Sequence, residues 1–275
     1  MIFDDTQCTL GEGPLWHPER QQFFWFDILG KRLHTKSQHW QFDEYVSAAG
    51  WVAHDQLLIA SASELFLFNV ETGDSQDICA LEADNKITRS NDGRADPQGG
   101  FWIGTMGINA EPKAGAIYRY YKGELRQIFP NITISNAICF APDGQTAYYT
   151  DTDTGLLMTT ELDTEGWPTG TPTTLIDLSD EDFGIDGAVV AADGTIWNAQ
   201  WGAHRVVQYT PDGTFIQAVS FPAKQTSCPA FGGADLTTLF CTSAATDLDP
   251  PGPDDGKTFA VPTTTTGQKE HRVLL

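Results

Sequence analysis

Basic residues are scarce in this sequence. Its 16 lysines and arginines stand against 37 acidic residues, which gives a formal net charge of −21 and an isoelectric point near 4.4. Such a surface repels nucleic acid and anionic membranes, so neither is an expected partner. No apolar run approaches the ~20 residues of a membrane-spanning helix, and the start MIFDDTQCTL lacks the basic and apolar regions of a signal peptide. We therefore expect a cytoplasmic protein.

Cysteine is scarce as well. The sequence holds five cysteines, an odd number, and none belongs to a C-x-x-C pair. Most of them lie in apolar runs, which indicates buried free thiols in a reducing compartment. The five are Cys8, Cys79, Cys139, Cys228 and Cys241.

Several catalytic signatures are missing. The sequence contains no G-x-S-x-G, H-E-x-x-H or G-x-x-x-x-G-K-[ST] motif, so serine hydrolases of the elbow type, zinc metalloproteases and nucleotide-phosphate-binding proteins lack support. The segment from Asp151 to Gly155 begins like a calcium-binding EF-hand loop, but the third acidic position and the terminal glutamate are absent. We interpret this segment as a turn.

Helical periodicity is almost absent, and short runs of Val, Ile, Thr, Tyr, Phe and Trp alternate with clusters of Gly, Pro, Asp and Asn. This alternation is typical of strands joined by hairpin turns. Six similar turns recur at intervals of 36 to 50 residues, anchored at Glu19, Asp55, Gln98, Asp143, Asp193 and Asp235. Four strands per unit at this period predict an all-β fold, a six-bladed β-propeller that forms a single domain over residues 1–275. The alternative architecture, an all-β sandwich, fits six similar units poorly.

The threonine- and proline-rich end, Asp249 to Gln268, is too short to form a second domain. We expect it to supply a loop and outer strands that close the ring with the N-terminal strand. Closure of this kind would leave no free sheet edge.

One position of the repeat carries oxygen-bearing side chains. It lies seven residues before each turn anchor and is occupied by Glu12, Ala48, Asn91, Asn136, Asp186 and Cys228. The inner strands of a propeller line a central channel, so two carboxylates and two amides would converge there, at a high cost if they were unpaired. A divalent cation removes this cost, since Glu12 and Asp186 balance its charge and Asn136 adds a neutral oxygen. An all-oxygen shell suits Ca²⁺, Mg²⁺ or Mn²⁺, and Zn²⁺ or Fe²⁺ tolerate it.

Arg89 precedes Asn91 by two residues and therefore faces the same side of a strand. It is a candidate for binding substrate oxygens at the channel mouth, or else a solvated or salt-bridged arginine. Any single acidic or amide residue beside a glycine is more often a turn residue than a ligand, but four at one position favour a site. His17, His54 and His204 do not share that position, and we interpret them as structural.

Six longer segments carry a family resemblance. They are GEGPLWHP, FFWFDI, RSNDGRADPQGGFWIGTM, GAIYRY, SNAICFAPDG and the run Phe231-Gly232-Gly233. Together they resemble the regucalcin/gluconolactonase family, which includes bacterial sugar lactonases and luciferin-regenerating proteins, over nearly the whole chain. The resemblance implies a six-bladed propeller with one divalent metal in its channel. It maps the metal ligands onto Glu12, Asn136 and Asp186, and substrate-binding residues onto Arg89 and Asn91.

Two positions depart from the family pattern. The proline of the family's P-D-G segment is replaced by Ile185, directly before Asp186. Some relatives place a glutamate for substrate hydroxyls shortly after the G-T-M segment, where this chain has Asn109. Asn109 is therefore a third candidate substrate-binding residue.

The resemblance implies a metal-dependent hydrolase that opens sugar lactones, with a small-molecule lactone as its partner. In this hypothesis the metal polarises the lactone carbonyl, and Asp186 orients the attacking water and takes its proton. Three alternatives stay open at this point: a non-catalytic calcium-binding regulatory propeller, a scaffold for protein partners, and a hydrolase of organophosphate esters on the same metal site.

Overall fold

The computed structural model describes residues 1–275. It contains 24 β-strands, one short 3-10 helix at Thr152–Thr154 and no α-helix, so the predicted all-β class is confirmed. In chain order the strands are β1 (Ile2–Asp4), β2 (Gly11–His17), β3 (Gln22–Asp27), β4 (Arg32–Thr35), β5 (Gln38–Gln41), β6 (Val46–Ala53), β7 (Gln56–Ser61), β8 (Glu64–Asn69), β9 (Ser75–Ala80), β10 (Thr88–Ala95), β11 (Phe101–Gly107), β12 (Gly115–Tyr121), β13 (Glu124–Ile132), β14 (Ser135–Phe140), β15 (Thr146–Asp151), β16 (Leu156–Leu162), β17 (Pro168–Asp177), β18 (Gly184–Val190), β19 (Ile196–Trp201), β20 (Arg205–Tyr209), β21 (Phe215–Ser220), β22 (Gln225–Gly232), β23 (Thr238–Ala244) and β24 (Thr258–Pro262). No helix has the length and apolar character that crossing a membrane requires.

The strands pair with their chain neighbours in antiparallel groups. Four sheets contain four consecutive strands each: β2 to β5, β6 to β9, β10 to β13, and β14 to β17. The remaining eight strands form one sheet, but a single residue pair, Trp201 with Gln225, joins its two halves. One half is β18 to β21, and the other is β22 to β24 with the N-terminal strand β1. The predicted pairing of the two chain ends is therefore confirmed, since β1 pairs with β24.

The repeat deduced from the turns is also confirmed. All six predicted turn anchors lie in the hairpin between the first and second strands of a group, and the position seven residues earlier always lies in the first strand. Each first strand contacts the first strand of the next group, and β22 contacts β2 again. The six first strands β2, β6, β10, β14, β18 and β22 thus follow one another in a closed cycle.

Packing between neighbouring groups explains the aromatic run in β3. Alternate side chains of a strand face opposite sides of the sheet. Phe24 and Phe26 accordingly pack with residues of β6 to β8, while Phe23 and Trp25 pack with Phe240 of β23. Both faces are buried, so the run is continuously apolar. Six hydrophobic clusters of this kind lie between consecutive groups around the cycle.

Five of the six first strands have a β-bulge at the predicted site, and in β10, β18 and β22 the shift in pairing register begins one or two residues before the repeat position. In β2 the register shifts directly after Glu12, and in β14 directly after Asn136. The next residues have positive φ angles, 53° at Gly13 and 56° at Ala137. A Cβ on Gly13 would lie 2.1 Å from the Ser47 carbonyl oxygen, so the glycine is required. The extra residue re-aims the preceding side chain out of strict alternation.

The C-terminal tail, residues 263–275, crosses the hairpin-turn end of the groups. The Nε2 of Gln268 donates to backbone carbonyls at the ends of β14 and β18, at 3.0 and 2.9 Å. The amide of Leu274 donates to the β10–β11 hairpin at 2.8 Å. The carboxylate of Glu270 forms a buried ion pair with Arg94 of β10. The tail therefore ties several groups together at the end opposite the starts of the first strands.

Candidate metal centre

A cavity of about 530 Å³ lies where the first strands begin. All six predicted site residues line it: Glu12, Arg89, Asn91, Asn109, Asn136 and Asp186. They come from the first strands β2, β10, β14 and β18, except for Asn109, which follows β11. The structure therefore brings together, around one solvent-accessible space, residues separated by as many as 174 positions in the chain.

Two buried carboxylates dominate the electrostatics of the cavity. Glu12 and Asp186 are each 5% exposed. Burial, followed by the negative charge of Asp92, raises the pKa of Glu12 to about 8. Burial, followed by the charge of Glu12, raises the pKa of Asp186 well above its ordinary value. Negative charge on both groups is unfavourable unless a cation lies between them, so the donor set fits a divalent metal ion.

A chain of hydrogen bonds orients the amide of Asn136. The hydroxyl of Thr152 donates to the Ile185 carbonyl at 2.7 Å, so its oxygen is an acceptor toward Asn136. The Nδ2 of Asn136 donates to that oxygen at 3.0 Å. The Oδ1 must then face the other way, where it accepts from Asn91 at 3.0 Å and keeps a second lone pair for a ligand.

Arg89 supplies a buried positive charge beside the carboxylates. One guanidinium nitrogen, Nη1, donates to the Ser90 carbonyl at 2.9 Å and to the Oδ1 of Asn91 at 2.8 Å. Its Nε–H is buried and has no acceptor. Burial lowers the pKa of Arg89 to about 10, and the charge of Glu12 acts in the opposite direction. The side chain thus remains a cation at neutral pH with an unused donor.

Asn109 lies at the mouth of the cavity rather than within it. Its side chain is exposed, unlike the five others. The Nδ2 donates to Glu111 at 2.9 Å, and the backbone amide donates to the same carboxylate at 3.0 Å. This turn presents the amide oxygen toward solvent, where it can meet a polar molecule that enters.

Sequence reasoning missed two residues of this region. Asp92 is buried beneath the cavity, accepts from the Ile138 amide at 2.7 Å, and has a pKa that burial raises to about 6. It directly follows Asn91, so strict alternation would have placed it on the other side of the strand, but the bulge in β10 changes the register there. Thr152 lines the cavity from the 3-10 turn, and no sequence pattern marks it.

The family profile described as SMP-30/Gluconolactonase/LRE-like region matches residues 10–245. The chain belongs to this family. A member from Rhizobium meliloti (strain 1021), provisionally named sugar lactone lactonase, is 43% identical, with 93% of this chain and 90% of the relative covered. The L-arabinolactonase of Azospirillum brasilense is 33% identical over 90% of this chain and 85% of its own length. Pentonolactonase XacC of Haloferax volcanii is 30% identical over 98% and 96%.

Solved structures of the SMP-30/gluconolactonase family share the fold. The calcium-binding protein regucalcin from Agrobacterium tumefaciens strain C58 superimposes with a TM-score of 0.97 at 40% identity, covering 100% of this chain and 97% of that one. A luciferin-regenerating enzyme superimposes with a TM-score of 0.90 at 24% identity, covering 98% and 96%. The resemblance drawn from the sequence segments is therefore confirmed.

Proposed function

We propose that this chain is a six-bladed β-propeller that opens sugar lactones to sugar acids, using one divalent metal ion. The closed cycle of first strands and the six intervening clusters support the blade count and a central channel. One observation carries the activity: a single cavity, of a size suited to a small polar ligand, combines two buried carboxylates with a buried arginine. The names of three relatives at 30 to 43% identity point to the same chemistry.

Glu12, Asn136 and Asp186 are the proposed metal ligands. Their carboxylates balance the charge of a divalent cation, and the amide adds a third oxygen. Oxygen donors suit Ca²⁺, Mg²⁺ and Mn²⁺, and Zn²⁺ or Fe²⁺ can also be held. The description of the Agrobacterium regucalcin as a calcium-binding protein supports calcium among these ions.

When bound, the ion supplies Lewis-acid polarisation of an ester carbonyl. Asp186 orients the attacking water and accepts its proton. The guanidinium of Arg89, which lines the cavity, donates to an oxygen of the lactone, and Asn91 accepts from that arginine and lines the same cavity. Asn109 at the mouth binds sugar hydroxyls.

No side-chain nucleophile takes part in this reaction. Cys228 occupies the same repeat position as the ligands, but burial raises its pKa well above the ordinary value. It is therefore a neutral thiol and a weak nucleophile. Direct attack by water is the simpler route, and it leaves the sugar acid as the only product.

The test compares metal-stripped and reloaded protein on a panel of aldonolactones, with acid release read as a pH change. Asp186→Asn removes a ligand and the proton acceptor, and we expect a loss of turnover of about 10²- to 10⁴-fold with the fold retained. Asp193→Asn is the matched control, because Asp193 only accepts from Thr195 in a hairpin turn of the same group. Equal turnover in the two variants would remove the role given to Asp186, and the absence of acid release by reloaded wild-type protein from every lactone of the panel would remove the enzyme assignment.

A second candidate function is calcium binding without catalysis, which the description of the Agrobacterium structure favours. It predicts stoichiometric Ca²⁺ binding and no acid release from any lactone of the panel. Arg89 favours lactone hydrolysis over calcium binding alone, because a buried positive charge beside the ligands does not help a site to bind a cation. An organophosphate ester added to the panel tests the remaining hydrolase alternative.

A further inference from the structure

Three residues outside the cavity form a second cluster of metal-binding groups. Cys8 lies in the segment between β1 and β2, Asp27 ends β3, and His34 lies in β4. One ligand atom of each, a sulfur, a carboxylate oxygen and an imidazole nitrogen, lie within 4.8 Å of one another. All three side chains are buried, at 0%, 4% and 4% exposure. We propose that this cluster, the Cys8–Asp27–His34 cluster, binds a transition-metal ion such as Zn²⁺.

The carboxylate of Asp27 is held firmly but has capacity left. Its Oδ1 accepts from the amides of Leu10 and Gly30, both at 3.0 Å, and its Oδ2 accepts from the Thr9 amide at 3.1 Å. A carboxylate has about four acceptor positions, so Oδ2 keeps one free. These backbone bonds also position the segment that carries Cys8, because Thr9 and Leu10 directly follow it.

His34 is the observation that points to a ligand. Neither ring nitrogen makes a hydrogen bond in the structure, and Nε2 is buried without any partner. A buried polar nitrogen in that state is costly. The ring stacks on Trp25, with 5.4 Å between centroids and 14° between planes, so its orientation is fixed. Burial lowers the pKa of His34 to about 4, which keeps the imidazole neutral, the form that binds metals.

Cys8 is a fully buried thiol close to the carboxylate of Asp27. A bound cation would stabilise the thiolate form of Cys8 next to that carboxylate. A catalytic Cys–His–Asp triad is excluded, since Cys8 is fully buried and a substrate cannot reach it.

The donor atoms select the class of metal. A thiolate and an imidazole suit Zn²⁺, Co²⁺ or Fe²⁺ and not Ca²⁺ or Mg²⁺, in contrast to the oxygen donors of the cavity. The thiolate and the carboxylate together neutralise a divalent ion. An open groove lined in part by Asp4, Arg32 and His34 borders the cluster on the side of His34.

The location suggests a structural role. The β1 strand belongs to the last sheet, where it pairs with β24, whereas Asp27 and His34 belong to the first sheet. The amide of Cys8 donates to the Gly256 carbonyl, beside β24, at 2.9 Å. A metal at this cluster would fasten the connecting segment to the first sheet, where the two ends of the chain meet. Its binding should therefore raise the stability of the closed cycle.

Cobalt titration tests the proposal without reference to catalysis. The titrated protein is the metal-stripped Glu12→Gln/Asp186→Asn double variant, which lacks the carboxylates of the cavity and loses two buried like charges. We expect one equivalent of Co²⁺ to produce a thiolate-to-cobalt charge-transfer absorption in the near ultraviolet, and Zn²⁺ to abolish it by displacement. Adding Cys8→Ala or His34→Phe should remove the absorption. The phenylalanine preserves the stacking on Trp25, so this variant remains informative if Cys8→Ala does not fold.

Two cysteine controls make the outcome decisive. Cys79→Ala and Cys228→Ala, in the same double-variant background, should leave the cobalt absorption intact. An absorption that requires Cys228, or one that survives both Cys8→Ala and His34→Phe, would overturn the proposal. So would the absence of any thiolate absorption at saturating Co²⁺. Lactone hydrolysis by the wild-type chain is measured separately, and neither result depends on the other.

Discussion

The Nδ2 of Asn91 donates to the Oδ1 of Asn136 at 3.0 Å, across two neighbouring sheets. The same amide nitrogen also donates to the Ser135 carbonyl at 2.8 Å, and its Oδ1 accepts from Arg89. Asn91 therefore connects the proposed substrate-binding arginine with a proposed metal ligand. One side chain fixes the relative positions of the two functions of the cavity.

Replacing Asn91 should weaken metal binding even though Asn91 is not a proposed ligand. Asn91→Ala leaves the Oδ1 of Asn136 without its donor, so we expect a loss of metal affinity of about 10- to 100-fold, as for other residues that orient ligands. Calorimetric titration of the stripped protein measures it. Asn69→Ala is the control, because the side chain of Asn69 lies in a turn and accepts hydrogen bonds only from the amides of Glu71 and Thr72. Unchanged affinity in Asn91→Ala would contradict this role.

Arg89→Lys should separate substrate binding from metal binding. Lysine keeps the positive charge beside Glu12, so metal affinity should change little. It cannot, however, bond Asn91 and present a second donor in the fixed geometry of a guanidinium. We expect kcat/KM for the lactone to fall about 10²-fold, mostly through KM, because a ground-state contact is lost. Steady-state kinetics at saturating metal gives both constants, and a variant with wild-type KM would exclude Arg89 as a substrate contact.

Much of the fold was accessible from the sequence because its signals are local. Hairpin turns such as the one at Asp193 mark themselves by residue type, and their spacing reveals the repeat. The apolar run Phe23 to Phe26 reflects burial on both faces, which follows from packing between two sheets. Glu12 and Asp186 emerged because they share one position of that repeat.

The rest depends on contacts that leave no local pattern. Asp92 was hidden by a bulge, since strict alternation assigns it to the wrong face. The pairing of Arg94 with Glu270 joins residues 176 positions apart, and neither stands in a recognisable motif. The Cys8–Asp27–His34 cluster forms only when the segment after β1 packs on the first sheet. Such long-range groupings require the three-dimensional structure.

Metal removal should make stability depend on pH in a specific direction. In the stripped protein the pKa of Glu12 is raised to about 8, and that of Asp186 is also raised. The folded state then binds protons more tightly than the unfolded chain, so its stability is greatest below the ordinary carboxyl pKa and falls as pH rises toward about 8. A bound cation removes this loss because it stabilises the ionised carboxylates.

The difference in melting temperature between loaded and stripped protein should therefore grow between about pH 5 and about pH 9. Scanning calorimetry of both forms in matched buffers measures it. The Glu12→Gln/Asp186→Asn variant is the control, since it lacks the titrating groups and should show little pH dependence of this difference. A wild-type difference that is flat or shrinks with pH would argue against a cation between Glu12 and Asp186.

The ion pair of Arg94 and Glu270 should anchor the C-terminal tail. Both side chains are buried, and Glu270→Gln leaves the arginine without its compensating charge. Breaking a buried pair costs about 3 to 5 kcal/mol, which corresponds to a fall in melting temperature on the order of 10 °C for a chain of this size. Glu124→Gln is the matched control, because Glu124 pairs with Arg126 on the exposed surface and should cost at most about 1 kcal/mol.

The double variant Arg94→Met/Glu270→Gln distinguishes a lost pair from a lost tail contact. Removing both charges should recover most of the stability, since neither member of the pair is left charged without the other. The cavity lies at the opposite end of the first strands, so the metal affinity of the double variant should stay close to that of the wild type. If Glu270→Gln melts like Glu124→Gln, the tail is held by its other contacts, among them the bonds of Gln268 and Arg272, and the buried charges contribute nothing to closure of the cycle.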